Sequence, residues 1–162
     1  MNAVELPDFK RKYNLPGAEL LPHREPFLFL DRLISADETG ALGEYTFTEG
    51  KNPFFAGHFP AYPVVPGVVL VEAMSQVAAA GAIAEGFLRD KDRNGMMILA
   101  AIVDSRFRRP VRPGDKLVTV VGNERVSARI SVFSLRGYVG GEVAAECRVK
   151  CVFRAKTPES GV

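Results

Sequence analysis

GHFPAYPVVPGVVLVEAMSQVAAAGAIA, Gly57 to Ala84, decides the fold of this chain. It opens with a Gly-His-Phe-Pro turn, passes Pro60, Pro63 and Pro66, and then runs apolar with no glycine or proline between Gly67 and Gly81. Pro66 predicts the start of a helix. Its ring fixes φ near the helical value, and its missing N–H falls where a helix has no internal partner. Val68, Leu70, Val71, Met74, Val77, Ala78 and Ile83 leave that helix almost no polar face, the pattern of a helix buried on all sides. Glu72 interrupts it. This is the only charged side chain between His58 and Glu85, and an unpaired carboxylate in apolar surroundings is costly unless it is protonated or partnered. The sequence therefore predicts an acid in the core.

With 162 residues, 47% hydrophobic and 25% charged, the chain fits one compact domain over 1–162 with a sizeable core, an N-terminal arm to about Asn14 and a flexible tail from about residue 155. A formal net charge of +2 is too small to argue for nucleic acid. The opening MNAVELPDFKRKYN mixes acids and bases without an apolar core, and no long uncharged stretch reads as a membrane span. The expectation is a soluble, cytoplasmic protein. Cys147 and Cys151 fall on one strand, roughly 13 Å apart, too far for a disulfide within it. They read as small core residues, and no metal site is expected.

Outward from the central helix, Leu20 to Ile34 reads as a strand, with Phe27, Phe29 and Asp31 alternating against Leu28, Leu30 and Arg32. Gly40 to Thr48 is a second, closed by the turn residues Gly50 to Pro53. Beyond the helix, DKDRNG is a loop, and Met96–Phe107, Lys116–Val121, Arg129–Val139 and Glu142–Phe153 read as four strands of an antiparallel meander, the last two joined by a Gly140-Gly141 hairpin. The last strand turns Val143, Ala145, Cys147, Val149, Cys151 and Phe153 to one side. An amphipathic sheet must wrap its apolar face around something, and the helix is the only sufficient apolar element.

Three blocks carry a resemblance: LLPHREPFLFLDR at Leu20 to Arg32, GHFPAYPVVPGVVLVEAMSQ at Gly57 to Gln76, and DSRFRRPVRPGDKL at Asp104 to Leu117. They resemble the (3R)-hydroxyacyl-[acyl carrier protein] dehydratases of type II fatty acid synthesis. The resemblance implies an α+β hot-dog fold, an antiparallel sheet of about six strands wrapped around one long central helix. It also implies His58 and Glu72 as the catalytic pair, with Gly67 as the amide that binds the thioester carbonyl and Phe59, Val68 and Gln76 beside the substrate. It requires no cofactor. The partners implied are an acyl carrier protein with its phosphopantetheine arm and a second copy of the chain, the histidine of one subunit facing the acid of the other, often assembled further as a trimer of dimers. Leu99 and Ala100 stand where many relatives carry aromatic residues, and Ala61 where glycine is common. Glu72 stands where the relative that also isomerises the double bond has aspartate, which favours dehydration alone.

The residues themselves fit that chemistry. Dehydrating a 3-hydroxyacyl thioester needs a base for the C2 proton, an acid for the C3 hydroxyl and a donor for the thioester oxygen. Neutral imidazole suits the first role. A carboxyl kept protonated by an apolar pocket suits the second. Backbone N–H groups at a helix start, Gly67 first, suit the third, and glycine there lets a ligand approach closely. Gln76, one turn after Glu72, either orients the carboxyl or satisfies a buried group. His23, the other histidine, reads as structural at the entry to the first strand. Arg106, Arg108, Arg109, Arg112 and Lys116 are either the solvated face of a strand and turn or, through Arg108, Arg109 and Arg112, a dock for the acidic carrier protein. The alternative activities are a bifunctional dehydratase/isomerase, a hot-dog thioesterase, which leaves the GHFP turn unexplained, and a non-catalytic acyl-binding module, which has no use for both His58 and Glu72.

Overall fold

The computed structural model describes residues 4–87, 96–127 and 129–154. The strands are β1 Arg11–Pro16, β2 Arg32–Asp37, β3 Gly40–Thr46, β4 Met96–Phe107, β5 Lys116–Arg125, β6 Ser131–Val139 and β7 Glu142–Arg154. One turn of helix, α1 Gly17–Leu20, follows β1, and the long helix α2 is Gly67–Ala84. The seven strands make one antiparallel sheet in the order β1-β2-β3-β5-β6-β7-β4.

The inner face of the sheet wraps α2, as the hot-dog expectation requires. On β6, Phe133, Leu135 and Val139 are buried while Ser134 and Arg136 between them are exposed. Leu117, Thr119 and Val121 do the same on β5. From the helix, Leu70, Val71, Met74, Val77 and Ala78 are each no more than 2% exposed, and each large aliphatic chain so removed from water stabilises the fold by about 2 kcal/mol. The Gly140-Gly141 hairpin is present, with φ of +59° and +81° that only glycine adopts without strain. Cys147 and Cys151 are free and buried, and burial pushes their thiols up to about 12 and about 11, with the Glu72 charge adding to the second.

Several expectations need correction. The sheet has seven strands rather than about six, because Arg11–Pro16, expected as part of an arm, adds an outer strand. Its polar side chains are those of an edge strand with one face in water. Tyr13 ties it down, its hydroxyl donating to the Ala84 carbonyl at 3.2 Å and meeting Glu85 at 2.7 Å. The strand expected from Leu20 starts only at Arg32, since Phe29 and Leu30 are both buried and the segment 21–31 crosses the helix instead of joining a ladder. The four C-terminal strands are not a meander in chain order. β5, β6 and β7 are, but β4 pairs with the far side of β7, and β5 pairs with β3. α2 is buried all round from Ala73 to Ala82, as expected, while its first turn opens to solvent, where Val68 is 72% exposed. The expected DKDRNG loop and the tail both lie wholly outside the described residues.

Candidate active site

The turn before α2 is closed on itself. After a 3-10 turn at Pro53–Ala56, the His58 amide donates to the Phe54 carbonyl at 2.9 Å, and the His58 carbonyl accepts from the Val64 amide at 2.9 Å. Phe59 and Tyr62 exchange backbone hydrogen bonds at 3.2 and 2.9 Å. The ring of His58 is fixed by the same residue that holds its backbone, with Nδ1 3.0 Å from the Val64 carbonyl oxygen. A carbonyl can only accept, so Nδ1 carries the hydrogen and Nε2 presents its lone pair. Phe59 stacks on the imidazole, ring centroids 4.3 Å apart, and is itself half exposed. Held in this tautomer, the imidazole can act as a base through Nε2.

Glu72, the acid expected in the core, is partly exposed and has a partner. Its side chain keeps 21% of its exposure, and Oε1 accepts from Gln76 Nε2 at 2.9 Å. Gln76 is 1% exposed and fully used: Oε1 accepts the Phe29 amide at 2.7 Å, and Nε2 also donates to the Phe27 carbonyl at 3.0 Å. It satisfies two buried backbone groups and also contacts the carboxyl. The sequence missed His23, whose Nε2 lies 3.6 Å from Glu72 Oε1. Nothing in the spacing pointed there, because the 21–31 segment reaches the helix as irregular chain. Burial lowers the His23 pKa and Glu72 partly opposes this, so the ring is neutral at neutral pH.

Among the described residues, no hydrogen bond or ion pair joins His58 to Glu72 within the chain. The helix start is open for business of another kind: the amides of Gly67 and Val68 have no acceptor among the described residues, so they keep their hydrogen-bonding capacity and the positive end of the helix dipole. A cleft of about 300 Å³ lies there, lined by Val64, Gly67, Leu70, Phe107 and Arg109 among others. Phe107, half exposed, lays its ring over Gly67 so closely that a Cβ on that glycine would fall 2.8 Å from the ring. Sequence reasoning had assigned that space to ligand alone. A larger cleft of about 480 Å³ lies on the outer face of the sheet, where the guanidinium groups of Arg106, Arg136 and Arg148 meet carboxylates.

The basic run is mostly paired. Arg106 meets Asp104 at 2.7 Å, Arg108 meets Glu146 at 2.6 Å, Arg109 meets Glu142 at 2.9 Å and Lys116 meets Glu44 at 3.2 Å. Arg112 differs. Its guanidinium lies 4.7 Å from the Tyr62 ring centre and donates to the Tyr62 hydroxyl at 2.5 Å, with no carboxylate partner among the described residues.

The FabA-like domain family matches residues 21–148. A 3-hydroxyacyl-[acyl-carrier-protein] dehydratase FabZ from Polynucleobacter asymbioticus is 42% identical over 138 residues, covering 85% of this chain and 90% of that protein. One from Halorhodospira halophila is 41% identical over 136 residues, covering 83% and 88%. Among solved structures, the dehydratase heterocomplex ApeI:P from Xenorhabdus doucetiae superposes with a TM-score of 0.71 at 17% identity, covering 88% of this chain and 93% of that one. The E. coli PaaI protein does so at 0.56 and 20%, covering 74% and 80%, and at such identities the likeness is one of fold. By the span of the domain match and the identity to these relatives, the chain belongs to the FabA-like family of 3-hydroxyacyl-[acyl-carrier-protein] dehydratases.

Proposed function

We propose that the protein dehydrates (3R)-3-hydroxyacyl thioesters carried on acyl carrier protein to trans-2-enoyl thioesters in fatty acid elongation, in the cytoplasm. The observation that carries the reading is the fixed tautomer of His58, held by Val64 so that Nε2 is free to accept a proton. His58 Nε2 takes the C2 proton while the thioester oxygen, gaining negative charge, is met by the N–H groups at the start of α2. The electrons of the C2–H bond form the C2=C3 double bond. The C3–O bond breaks as Glu72 gives its proton to the departing hydroxyl, which leaves as water. His58 then holds one proton too many and Glu72 one too few, and exchange with solvent restores both.

A second copy of the chain completes the site in this reading. Among the described residues the pair is not joined within one chain, and β4 ends the sheet as a twelve-residue strand with its outer edge unpaired and Met96, Ile98, Ile102, Val103 and Phe107 all more than 40% exposed. A long apolar edge of this kind is a template for strand pairing, and a two-fold partner supplies the matching edge. His58 of one chain then serves Glu72 of the other, and three such dimers form a hexamer. The carrier protein docks at the mouth beside Tyr62 and Arg112, where a positive charge without a carboxylate partner meets an acidic surface.

The test is incubation with 3-hydroxyacyl carrier-protein substrates and mass spectrometry for the loss of water. His58→Ala and Glu72→Gln are each expected to reduce turnover by roughly 100-fold or more with the fold intact. Release of free acid, or near-normal turnover in either variant, overturns the assignment.

A further inference from the structure

We propose that His23 is a positioning residue for the Glu72 acid, facing Oε1 beside Gln76 and closing onto that oxygen as Oε2 gives up the proton. This rests on the reading of Glu72 as the acid given above. Both polar contacts to the Glu72 carboxyl fall on one oxygen: Gln76 Nε2 at 2.9 Å and His23 Nε2 at 3.6 Å from Oε1. An oxygen already facing an amide donor is the carbonyl-type oxygen of a protonated carboxyl, so the proton sits on the other.

The state of the His23 ring follows from its surroundings. Its Nδ1 is buried with no hydrogen-bond partner among the described residues. Orphaned N–H groups are rarer and costlier than under-used acceptors, so the hydrogen is placed on Nε2, towards Glu72. Arg24 does not compete for the carboxyl, because its guanidinium is turned back onto the Leu21 and His23 carbonyls at 2.8 and 2.6 Å. Cys151, whose thiol burial raises to about 11, also feels the Glu72 charge. At 3.6 Å the His23 contact is too long for a hydrogen bond to a neutral carboxyl. It strengthens as Glu72 becomes an anion on giving up its proton. An interaction that grows along the reaction raises kcat and leaves ground-state binding alone.

The experiment compares His23→Leu, His23→Gln and His23→Asn on carrier-linked substrate, alone and with Glu72→Gln. His23→Leu is expected to lower kcat about tenfold at unchanged KM. Gln places an amide donor near the position of Nε2 and should recover most of that loss, whereas Asn reaches only the position of Nδ1 and should not. On the Glu72→Gln background, His23→Leu should cost the residual turnover nothing further. Wild-type kcat in His23→Leu, equal losses for Gln and Asn, or full additivity with Glu72→Gln would overturn the proposal. Should His23→Leu fail to fold, the contrast between Gln and Asn decides alone. Full activity in Glu72→Gln would instead remove the acid reading itself, a separate result.

Discussion

Gly67→Ala separates two reasons for a glycine at the start of α2. The added Cβ would stand 2.8, 2.9 and 3.1 Å from Cζ, Cε2 and Cε1 of Phe107, closer than carbon atoms tolerate. These are the far atoms of a ring that is 51% exposed, so it can swing outward. The cost belongs at the low end of overpacking, about 1 kcal/mol, and in a protein of this size it lowers Tm by about 2–4 °C. The same methyl group narrows the approach of a ligand to the helix start. If the Gly67 amide receives the thioester oxygen, losing it costs about 100- to 1,000-fold in kcat. Initial rates of dehydration and thermal melts are measured for Gly67→Ala, Phe107→Ala and the double variant, with Phe107→Ala as the reference. The expected outcome is that removing the ring restores Tm but not the rate. Recovery of the rate to the Phe107→Ala level would show that the glycine makes room for the ring alone, and the amide would lose its assigned role.

Gln76→Leu strips partners from the Phe29 N–H and the Phe27 carbonyl at a site that is 1% exposed. At about 1–3 kcal/mol for each orphaned group, the melt should fall well beyond the Gly67→Ala shift, and an unchanged Tm would contradict the hydrogen-bond assignment. Denaturing His58→Ala and Glu72→Gln proteins together and refolding them should restore about a quarter of wild-type activity, since about half the dimers are mixed and each has one intact site. No recovery would mean that both groups of a site come from one chain. Arg112→Glu should raise KM for carrier-linked substrate and not for a short pantetheine thioester. An equal rise for both would point to damage at the contact between Arg112 and Tyr62. Cys147 and Cys151, with thiols held near 12 and 11 by burial, should resist alkylation at pH 8 until the protein is unfolded. Rapid labelling of the folded protein would show that they are not core residues.

The central helix was legible because proline, glycine and a long apolar run all agree on one structure, and α2 begins at Gly67 as Pro66 predicts. The C-terminal strands were legible from alternation, and the Met96–Phe107 bounds match β4. The failures have a common cause. Phe27 to Leu30 alternates in composition, but Phe27 and Phe29 hydrogen-bond the Gln76 side chain of the helix, the link to β3 begins only at Asp31, and periodicity carries no information about a partner in the third dimension. β1 was hidden because an edge strand in water needs no apolar pattern. The place of β4 beside β7 is a choice of topology that local sequence does not encode. In the site, residues joined by one turn of helix, such as Glu72 and Gln76, could be paired on paper. His23 could not, being 72 − 23 = 49 positions from the acid it approaches.

The Gln76 amide has only one way round. Because its oxygen must face the Phe29 N–H, its nitrogen must face both the Phe27 carbonyl and Glu72. The direction of two peptide groups in an irregular loop is thereby copied onto a carboxyl in the helix, much as a polarising filter passes one orientation. A substitution in Leu21 to Leu30 that rotated either peptide plane would flip the amide and turn an oxygen toward the acid, altering its proton affinity without moving any atom that meets substrate. For the acid proposed at Glu72, variation in that loop is then a means of tuning it, although the loop holds neither His58 nor Glu72.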